Sequence, residues 1–269
     1  MRGTLGQKIG QDAQADVHVW APGQVVKLFK AGTPRRVTWW EARMTRAVFA
    51  AGAPALEVLD EVTLEGRFGI VMRHLDGPTL LFLSRSGAMT PEQTGAILAA
   101  LCISVHKTPP PPEVFCLRDR MDSALRHGTL PRHIATGILS LIERLEPGDG
   151  LCHGDVHPGN VIMTADGPRL IDWIGATRAP AGLDLASCHV INSEIAPETV
   201  DDPDRPRANN AAMQSEYARL AGTSPAALTA AMEPYLPIIR VFLLLGPAGG
   251  PALRERLLQR IEADLRSED

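Results

Sequence analysis

The sequence is poor in cysteine and shows no export signal. Its four cysteines (Cys102, Cys116, Cys152 and Cys188) form no C-x-x-C pair. Nothing at the N-terminal end resembles a signal peptide. Because disulfide frameworks belong mainly to exported proteins, we expect reduced thiols and a cytoplasmic location.

Charge of one sign and long apolar runs are also missing. The chain has 27 Lys and Arg against 31 Asp and Glu, a net charge of −4, so it lacks the basic footprint of a nucleic-acid-binding protein. The run from 238 to 245 is interrupted by Arg240 and ends at Gly246-Pro247, too short to span a bilayer. We therefore expect a core helix there, and neither nucleic acid nor membrane as a partner.

What is present is the composition of an ordinary globular protein. Apolar residues make up 45% of the chain and charged residues 22%. Its 269 residues suffice for one large domain or two small ones with a substantial core. We find no internal repeat, and no low-complexity tract beyond the four prolines at 109–112.

One stretch concentrates residues that can carry chemistry: His153-Gly-Asp-Val-His-Pro-Gly-Asn160, followed by Asp172. Apolar runs at 161–163 and 169–171 flank Asp166-Gly167, which predicts a hairpin turning at that pair. Such a turn sets Asn160 nearly opposite Asp172, where an amide oxygen and a carboxylate could share a hard cation such as Mg²⁺. Asp155, on the loop before the hairpin, could face the same space.

The motif resembles the catalytic centre of the aminoglycoside phosphotransferase and choline kinase family, small-molecule relatives of the protein kinases. Residues 153–160 match its H-G-D-x-H-x-x-N loop, and Ile171-Asp-Trp173 matches the I-D-[WF] that follows. The resemblance implies that Asp155 is the base that orients or deprotonates an acceptor hydroxyl. It also implies that Asn160 and Asp172 hold Mg²⁺ against the phosphates of ATP.

The same resemblance implies a fold. It is α+β and bilobal like a protein kinase, with a small antiparallel-sheet N-lobe at 1–75 and a larger, mainly helical C-lobe at 76–269. The function implied is ATP-dependent transfer of the γ-phosphoryl group to a hydroxyl of a small molecule, such as an aminoglycoside-like antibiotic, an amino alcohol or a sugar. Partner proteins stay unknown.

The N-terminal pattern agrees with this fold. Strand-like runs at 17–20 and 25–30 place Lys27 on one face with Val25 and Phe29, where it either extends to water or meets an anion. The segment 37–51 predicts a helix whose apolar stripe is Val37, Trp40, Met44 and Val48. Two further strands, at 56–62 and 68–72, flank Glu65-Gly66.

In the resembling family, Lys27 corresponds to the lysine that grips phosphates. Glu41, otherwise a solvated helix charge, corresponds to its partner. Met72 and His74 fall in the hinge, whose backbone groups would read adenine.

The expected glycine-rich phosphate loop is poor. Segment 10–16 offers only Gly10, and Asp12 would repel phosphates unless it points away or meets metal. The choice between ATP and GTP therefore stays open.

The C-terminal pattern is helical. A capping box at Thr90-Pro-Glu-Gln93 begins one helix, which ends near His106, and another spans 134–145. The resemblance implies a bracing role for His153, loop packing for His157, and a supporting role for Asp184, which would hold Asp155 in place.

Acidic residues between 194 and 204 either shape an acceptor pocket or form a solvated loop. A last helix is predicted at 253–265.

Two other functions compete with a kinase. Gly154-Asp-Val-His157 also matches a fragment of the calcineurin-like metallophosphoesterases, but the downstream G-N-H motif of those enzymes is absent from the sequence. A nucleotide-binding pseudokinase is the second alternative, favoured by the poor phosphate loop. The joint presence of Asp155, Asn160, Asp172 and Lys27 argues against it, because binding alone needs no base.

Overall fold

The N-terminal third of the chain forms one antiparallel sheet. In this computed structural model, which describes residues 5–198, 200–246 and 250–267, the sheet has five strands in the order β1-β2-β3-β5-β4. They are β1 (Lys8–Gln11), β2 (Ala15–Ala21), β3 (Gln24–Phe29), β4 (Val58–Leu64) and β5 (Arg67–Arg73). The four predicted strands are confirmed, whereas β1 was not predicted, because its polar, mostly exposed residues carry no alternating pattern.

Helix α1 (Arg35–Ala50) packs against this sheet, but its buried face differs from the predicted stripe. Met44 and Val48 are buried as expected, while Val37 and Trp40 are only partly buried. Glu41 lies within the buried face rather than beside it. The prediction placed Glu41 beside the apolar stripe because charged residues are seldom buried. Burial of Glu41 requires a cation that faces it from the sheet.

The rest of the chain is mainly helical and carries the larger hydrophobic core. The helices are α2 (Leu80–Arg85), α3 (Pro91–Lys107), α4 (Leu117–His127), α5 (Arg132–Arg144), α6 (Gly182–His189), α7 (Asp204–Ala221), α8 (Pro225–Met232), α9 (Leu236–Leu245) and α10 (Pro251–Ser267). The capping box at Thr90 is confirmed: Thr90 Oγ1 accepts from the Gln93 amide, and Gln93 Oε1 accepts from the Thr90 amide.

Two small hairpin-like pairs lie between α5 and α6. Strands β6 (Leu151–Cys152) and β9 (Thr177–Arg178) pair with each other, and β7 (Val161–Thr164) pairs with β8 (Gly167–Leu170). The predicted centre of the second hairpin was wrong by one residue. Thr164 pairs with Gly167, so the turn residues are Ala165 and Asp166, and the Asn160 carbonyl accepts from the Ile171 amide, not from Asp172.

One segment of the described residues, Pro225–Leu245, is long and apolar enough to cross a membrane by length and composition. Half of its most apolar window is buried inside the fold, as in a core helix. Arg240 on α9 is also buried and pairs with Glu194 and Asp264. Gly246 follows this segment, whereas Pro247 lies outside the described residues.

Candidate active site

A buried lysine on the sheet faces three carboxylates. Lys27, 8% exposed, is carried by β3, and its Nζ lies 2.8 Å from Glu41 Oε1 on α1. Asp172 Oδ2 lies 3.6 Å from the same Nζ, and Asp12 Oδ2 lies 3.7 Å away. Burial lowers the pKa of Lys27, but the three carboxylates more than offset this and raise it above its usual value. Lys27 is therefore a permanent cation.

Glu41 has the opposite balance. Burial raises the pKa of its carboxyl above the usual range, and the negative charges of Asp172 and Asp12 add to that rise, against the attraction of Lys27. The single ammonium of Lys27 thus faces three carboxylates, those of Glu41, Asp172 and Asp12, and the cluster carries an excess of negative charge.

Asp184 holds the loop that carries Asp155. Its carboxylate accepts from the backbone amides of His153, at 2.9 Å, and Gly154, at 2.7 Å. Its Oδ2 also lies 3.2 Å from His106 Nε2. Burial raises the pKa of Asp184, but these partners outweigh it and lower the pKa below the usual range. The loop therefore packs around a fixed, ionised carboxylate.

The sequence of this loop suits its tight path. Gly154 has a φ of +81°, and a Cβ there would come within 2.4 Å of the Gly175 carbonyl oxygen. His153 is fully buried; its Nδ1 accepts from the Asp155 amide at 3.2 Å, and its Nε2 lies 3.0 Å from the Ile171 carbonyl oxygen. Burial lowers the pKa of His153, so the ring is neutral and links the loop to the end of β8.

Asp155 and Asn160 contact each other directly. Asn160 Nδ2 donates to both the backbone carbonyl and Oδ2 of Asp155, each at 2.9 Å. His157 Nε2 lies 3.7 Å from Asp155 Oδ2. Burial raises the pKa of Asp155, but His157, His153 and Asn160 reverse this and lower it. Because the amide nitrogen of Asn160 is engaged with Asp155, its amide oxygen is the side-chain atom that can coordinate a cation.

Asp172 sits at a strained point of the backbone. Its φ of 66° is in the left-handed region, which non-glycine residues seldom adopt, and a short turn of 3₁₀ helix begins at Trp173. Its Oδ1 is buried and has no hydrogen-bond partner among the described residues. A buried carboxylate oxygen without a donor is costly unless a cation meets it. The hard oxygens of Asp172 and Asn160 fit Mg²⁺.

A cavity of about 700 Å³ joins the sheet to this hairpin. Among its lining residues are all the predicted nucleotide and metal residues: Gly10, Lys27, Glu41, Met72, His74, Asn160 and Asp172. Gly10 lies on β1, paired with Val17, rather than on a loop. The His74 amide donates to the Gly23 carbonyl at 2.9 Å, so that donor is already engaged.

A second cavity, of about 520 Å³, is lined by His157 and Pro158 of the same loop. The acidic residues of the stretch 194–204 fall into two groups, of which one lines this cavity and the other forms ion pairs. Asp201 and Asp202 line the cavity, whereas Glu194 pairs with Arg240 and Arg260, and Glu198 with Arg256.

Sequence reasoning missed the other polar residues of the second cavity, which no motif marks. Arg85 and Arg205 line it, as does Asn209, whose Oδ1 is buried without a partner among the described residues. They stand on α2 and α7, far apart in the sequence. Only the packing of the helices brings them together.

The sequence of the chain matches the phosphotransferase enzyme family over residues 7–223. No curated protein matches it. Among solved structures, a choline/ethanolamine kinase family protein from Mesorhizobium loti superposes with a TM-score of 0.62 at 17% identity, covering 98% of this chain and 88% of that one.

Two aminoglycoside phosphotransferases are also similar. ADP-bound APH(2'')-Ib has a TM-score of 0.57 at 15% identity, covering 98% of this chain and 93% of its own. APH(3'')-Id from Streptomyces rimosus has a TM-score of 0.54 at 20% identity, covering 86% and 92%. At these identities the likeness shows the fold: the α+β, bilobal, protein-kinase-like architecture with an N-terminal antiparallel sheet and a helical C-terminal region.

Proposed function

Since this chain belongs to the phosphotransferase enzyme family, we propose that it transfers the γ-phosphoryl group of ATP to a hydroxyl group of a small molecule. The observation that carries the proposal is the position of Asp155. Asp155 itself lines neither cavity, but its Oδ2 accepts from Asn160, which lines the cleft with Lys27 and Asp172, and lies 3.7 Å from Nε2 of His157, which lines the second cavity. A base at that point can meet an acceptor from one side and a phosphate from the other. We keep the lobe division at 75/76 as part of this proposal.

Each residue then has one task. Lys27, held charged by Glu41, grips the phosphates of the nucleotide. Asp155, ionised and fixed by Asn160 and by the Asp184-braced loop, orients the acceptor hydroxyl and takes its proton. Asn160 and Asp172 would hold Mg²⁺, which when bound neutralises charge on the phosphate oxygens.

The adenine contact needs one change from the sequence-based expectation. The His74 amide already donates to the Gly23 carbonyl. We therefore propose that adenine is bound by the backbone of Leu75 and by contact with Met72, both of which line the cleft. Related structures contain GDP with kanamycin, and ATP with streptomycin. Nucleotide binding by this chain is supported, and ATP is our proposal over GTP.

We propose that the acceptor binds in the second cavity. Its lining has two carboxylates, Asp201 and Asp202, and two guanidinium groups, Arg85 and Arg205; Arg205 and Asp202 pair with each other at 3.3 Å. Such a balanced lining suits a neutral or zwitterionic alcohol better than a polycation. The unpartnered Asn209 Oδ1 offers it a place for a hydroxyl or amine donor.

Binding of metal by histidines, as a phosphoesterase requires, is disfavoured. Both ring nitrogens of His153 are engaged within the loop, and His157 Nδ1 accepts from the Gly159 amide at 3.1 Å. A cluster of His106, Cys152 and Asp184 does exist, but His106 and Asp184 are committed to each other, to Tyr217 and to the loop amides. Hard-oxygen coordination of Mg²⁺ with nucleotide is the better interpretation.

The test is a screen of hydroxyl-bearing compounds with MgATP, reading ADP release and the phosphorylated product. The panel should include kanamycin, choline, hydroxylated amino acids and neutral sugars. With an accepted substrate, Asp155→Asn should lower turnover by roughly 10²- to 10⁴-fold. Asp149→Asn, an exposed change just before the loop, should leave turnover intact.

Nucleotide binding without any turnover across the panel would favour the pseudokinase. Near-normal turnover of Asp155→Asn would remove Asp155 from the mechanism.

A further inference from the structure

The turn between β1 and β2 is closed by the side chain of Asp12. Its Oδ1 accepts from the backbone amides of Gln14, at 2.6 Å, and Ala15, at 2.7 Å. The Asp12 amide in turn donates to the Ala15 carbonyl at 2.9 Å. An aspartate that binds amides two and three residues ahead replaces the glycines that would otherwise allow a tight turn.

The other oxygen of the same carboxylate faces the nucleotide cleft. Asp12 Oδ2 lies 3.7 Å from Lys27 Nζ, the side chain is 46% exposed, and Asp12 is among the residues that line the cleft. Asp12 therefore engages two backbone amides of a turn and one lysine. Backbone amides and a lysine are also the groups with which proteins hold phosphate.

We infer that the Asp12 carboxylate stands in for a nucleotide phosphate in the free protein and lowers the affinity of the cleft for ATP. The inference rests on the proposed function, because it takes the cleft to bind nucleotide. It names a residue that sets nucleotide affinity, not a catalytic residue.

Charge balance gives the reason for this effect. Lys27 already faces Glu41 and Asp172, so Asp12 is the third carboxylate around one ammonium. An incoming polyphosphate adds more negative charge and must share Lys27 with all three. Of the three, only Asp12 is on a surface turn and about half exposed, so it can move away at the lowest cost.

The variant Asp12→Asn tests the effect of the Asp12 charge separately from the structure of the turn. Asparagine keeps an oxygen that can accept from Gln14 and Ala15, so the turn is preserved while the repulsion of phosphate is removed. The control is Asp60→Asn on β4, where an exposed aspartate also accepts a backbone amide, that of Glu61 at 2.8 Å, and does not line the cleft.

The measurement is the dissociation constant of MgATP, and of ATP in EDTA, by calorimetry at low and high salt. Asp12→Asn should tighten MgATP binding about two- to fivefold, as expected for a partly exposed charge. Because Mg²⁺ neutralises part of the nucleotide, the gain should be larger for ATP in EDTA. It should shrink at high salt, and Asp60→Asn should match the wild type.

Other outcomes are equally decisive. Unchanged affinity of Asp12→Asn, with wild-type binding intact, contradicts this inference and leaves the proposed function standing. Weaker MgATP binding with unchanged binding in EDTA makes Asp12 a metal ligand and overturns the inference as well. Absence of nucleotide binding by the wild type contradicts the proposed function itself, and this inference with it.

Discussion

The Lys27 ammonium lies 2.8 Å from the Glu41 carboxylate, and both side chains are almost completely buried. Strand β3 supplies the cation and helix α1 the anion, so the pair fixes the helix on the sheet. A buried ion pair is costly to break, because removing one partner leaves the other charge in a poorly solvated place. Here the two partners differ: Lys27 has other carboxylates nearby, whereas Glu41 has no cation besides Lys27 among the described residues.

The first prediction uses this asymmetry. Lys27→Met leaves three carboxylates without a cation and should lower the free energy of unfolding by about 3–5 kcal/mol. Glu41→Gln leaves Lys27 beside Asp172 and Asp12 and should cost only about 1 kcal/mol. Urea unfolding of both variants, in nucleotide-free protein, measures the difference. Equal costs would mean that Asp172 and Asp12 do not compensate Lys27.

The double variant provides the control. Lys27→Met with Glu41→Gln removes one of the three carboxylate charges left by the single lysine change, so its cost should fall below the sum of the two single costs. Strict additivity would show that the two side chains do not interact in solution.

The sequence was sufficient to predict the loop at 153–160 and most of the elements around it. Residues 153–160 and Asp172 carry a fixed spacing of turn formers and polar groups, and period-two alternation placed Lys27 on the face that lines the cleft. These are local patterns. They do not depend on how distant elements pack.

Hairpin register shows where local rules fail. The sequence pattern predicts a turn centred on Asp166-Gly167, yet Ala165 and Asp166 keep negative φ and Gly167 has a φ of +102°. A two-residue turn with positive φ at both central positions is therefore excluded, and the positive φ falls on Gly167 at the start of β8. Because an Asp-Gly pair allows either placement of the glycine, only the structure decides between them.

The contacts of Asp12 and Asn209 lay outside the reach of the sequence for a different reason. Asp12 reaches a lysine on β3, and Asn209 on α7 donates to Ser84 Oγ on α2 at 3.0 Å. Such contacts depend on tertiary packing, which no spacing within one segment records.

The second prediction concerns metal. The free protein should bind Mg²⁺ weakly, and MgATP should raise its melting temperature by linkage. Asp172→Ala should abolish most of that rise, because it removes the buried oxygen that has no other partner among the described residues. The control is Asp166→Ala, an exposed change in the adjacent turn, which should keep the full rise. A full rise in Asp172→Ala would exclude it as a ligand.

The third prediction concerns pH. Burial lowers the pKa of His157, but Asp155 and Asp172 outweigh this and raise it. A histidine whose folded pKa exceeds its unfolded value of about 6.5 adds stability below that pH, and the gain is lost as pH rises through the folded pKa. The stability difference between wild type and His157→Gln should therefore be largest near pH 5.5 and smallest near pH 9.

A partner variant checks the cause of this pH dependence. In an Asp155→Asn background, His157 loses the carboxylate that contributes most to raising its pKa. The pH-dependent part of the stability difference caused by His157→Gln should therefore shrink. Chemical unfolding at the two pH values measures it. A difference that grows with pH would reverse the assigned sign.

The last prediction concerns the linker between the sheet and the helical region. Gly77 has a φ of +153°, and a Cβ there would lie 1.8 Å from the Met163 carbonyl oxygen, a backbone atom that cannot turn away. Gly87 has a φ of +75°, but a Cβ there would meet no atom beyond its chain neighbours within 4 Å, so Gly87→Ala costs only backbone strain, about 1–2 kcal/mol. Gly77→Ala adds a steric clash, which should destabilise the protein by a further ~1–3 kcal/mol.

The clash also has a functional consequence. The Pro78 carbonyl accepts from the Met163 amide at 2.9 Å, and Gly77 and Pro78 line the nucleotide cleft. Moving the linker off β7 should therefore weaken MgATP binding in Gly77→Ala, whereas Gly87→Ala should bind like the wild type. Unfolding and calorimetric titration of the two variants give both measurements. If Gly77→Ala matches Gly87→Ala in both, the linker does not need its close contact with β7, and the shape of the cleft is set by the sheet and the loop at 153–160.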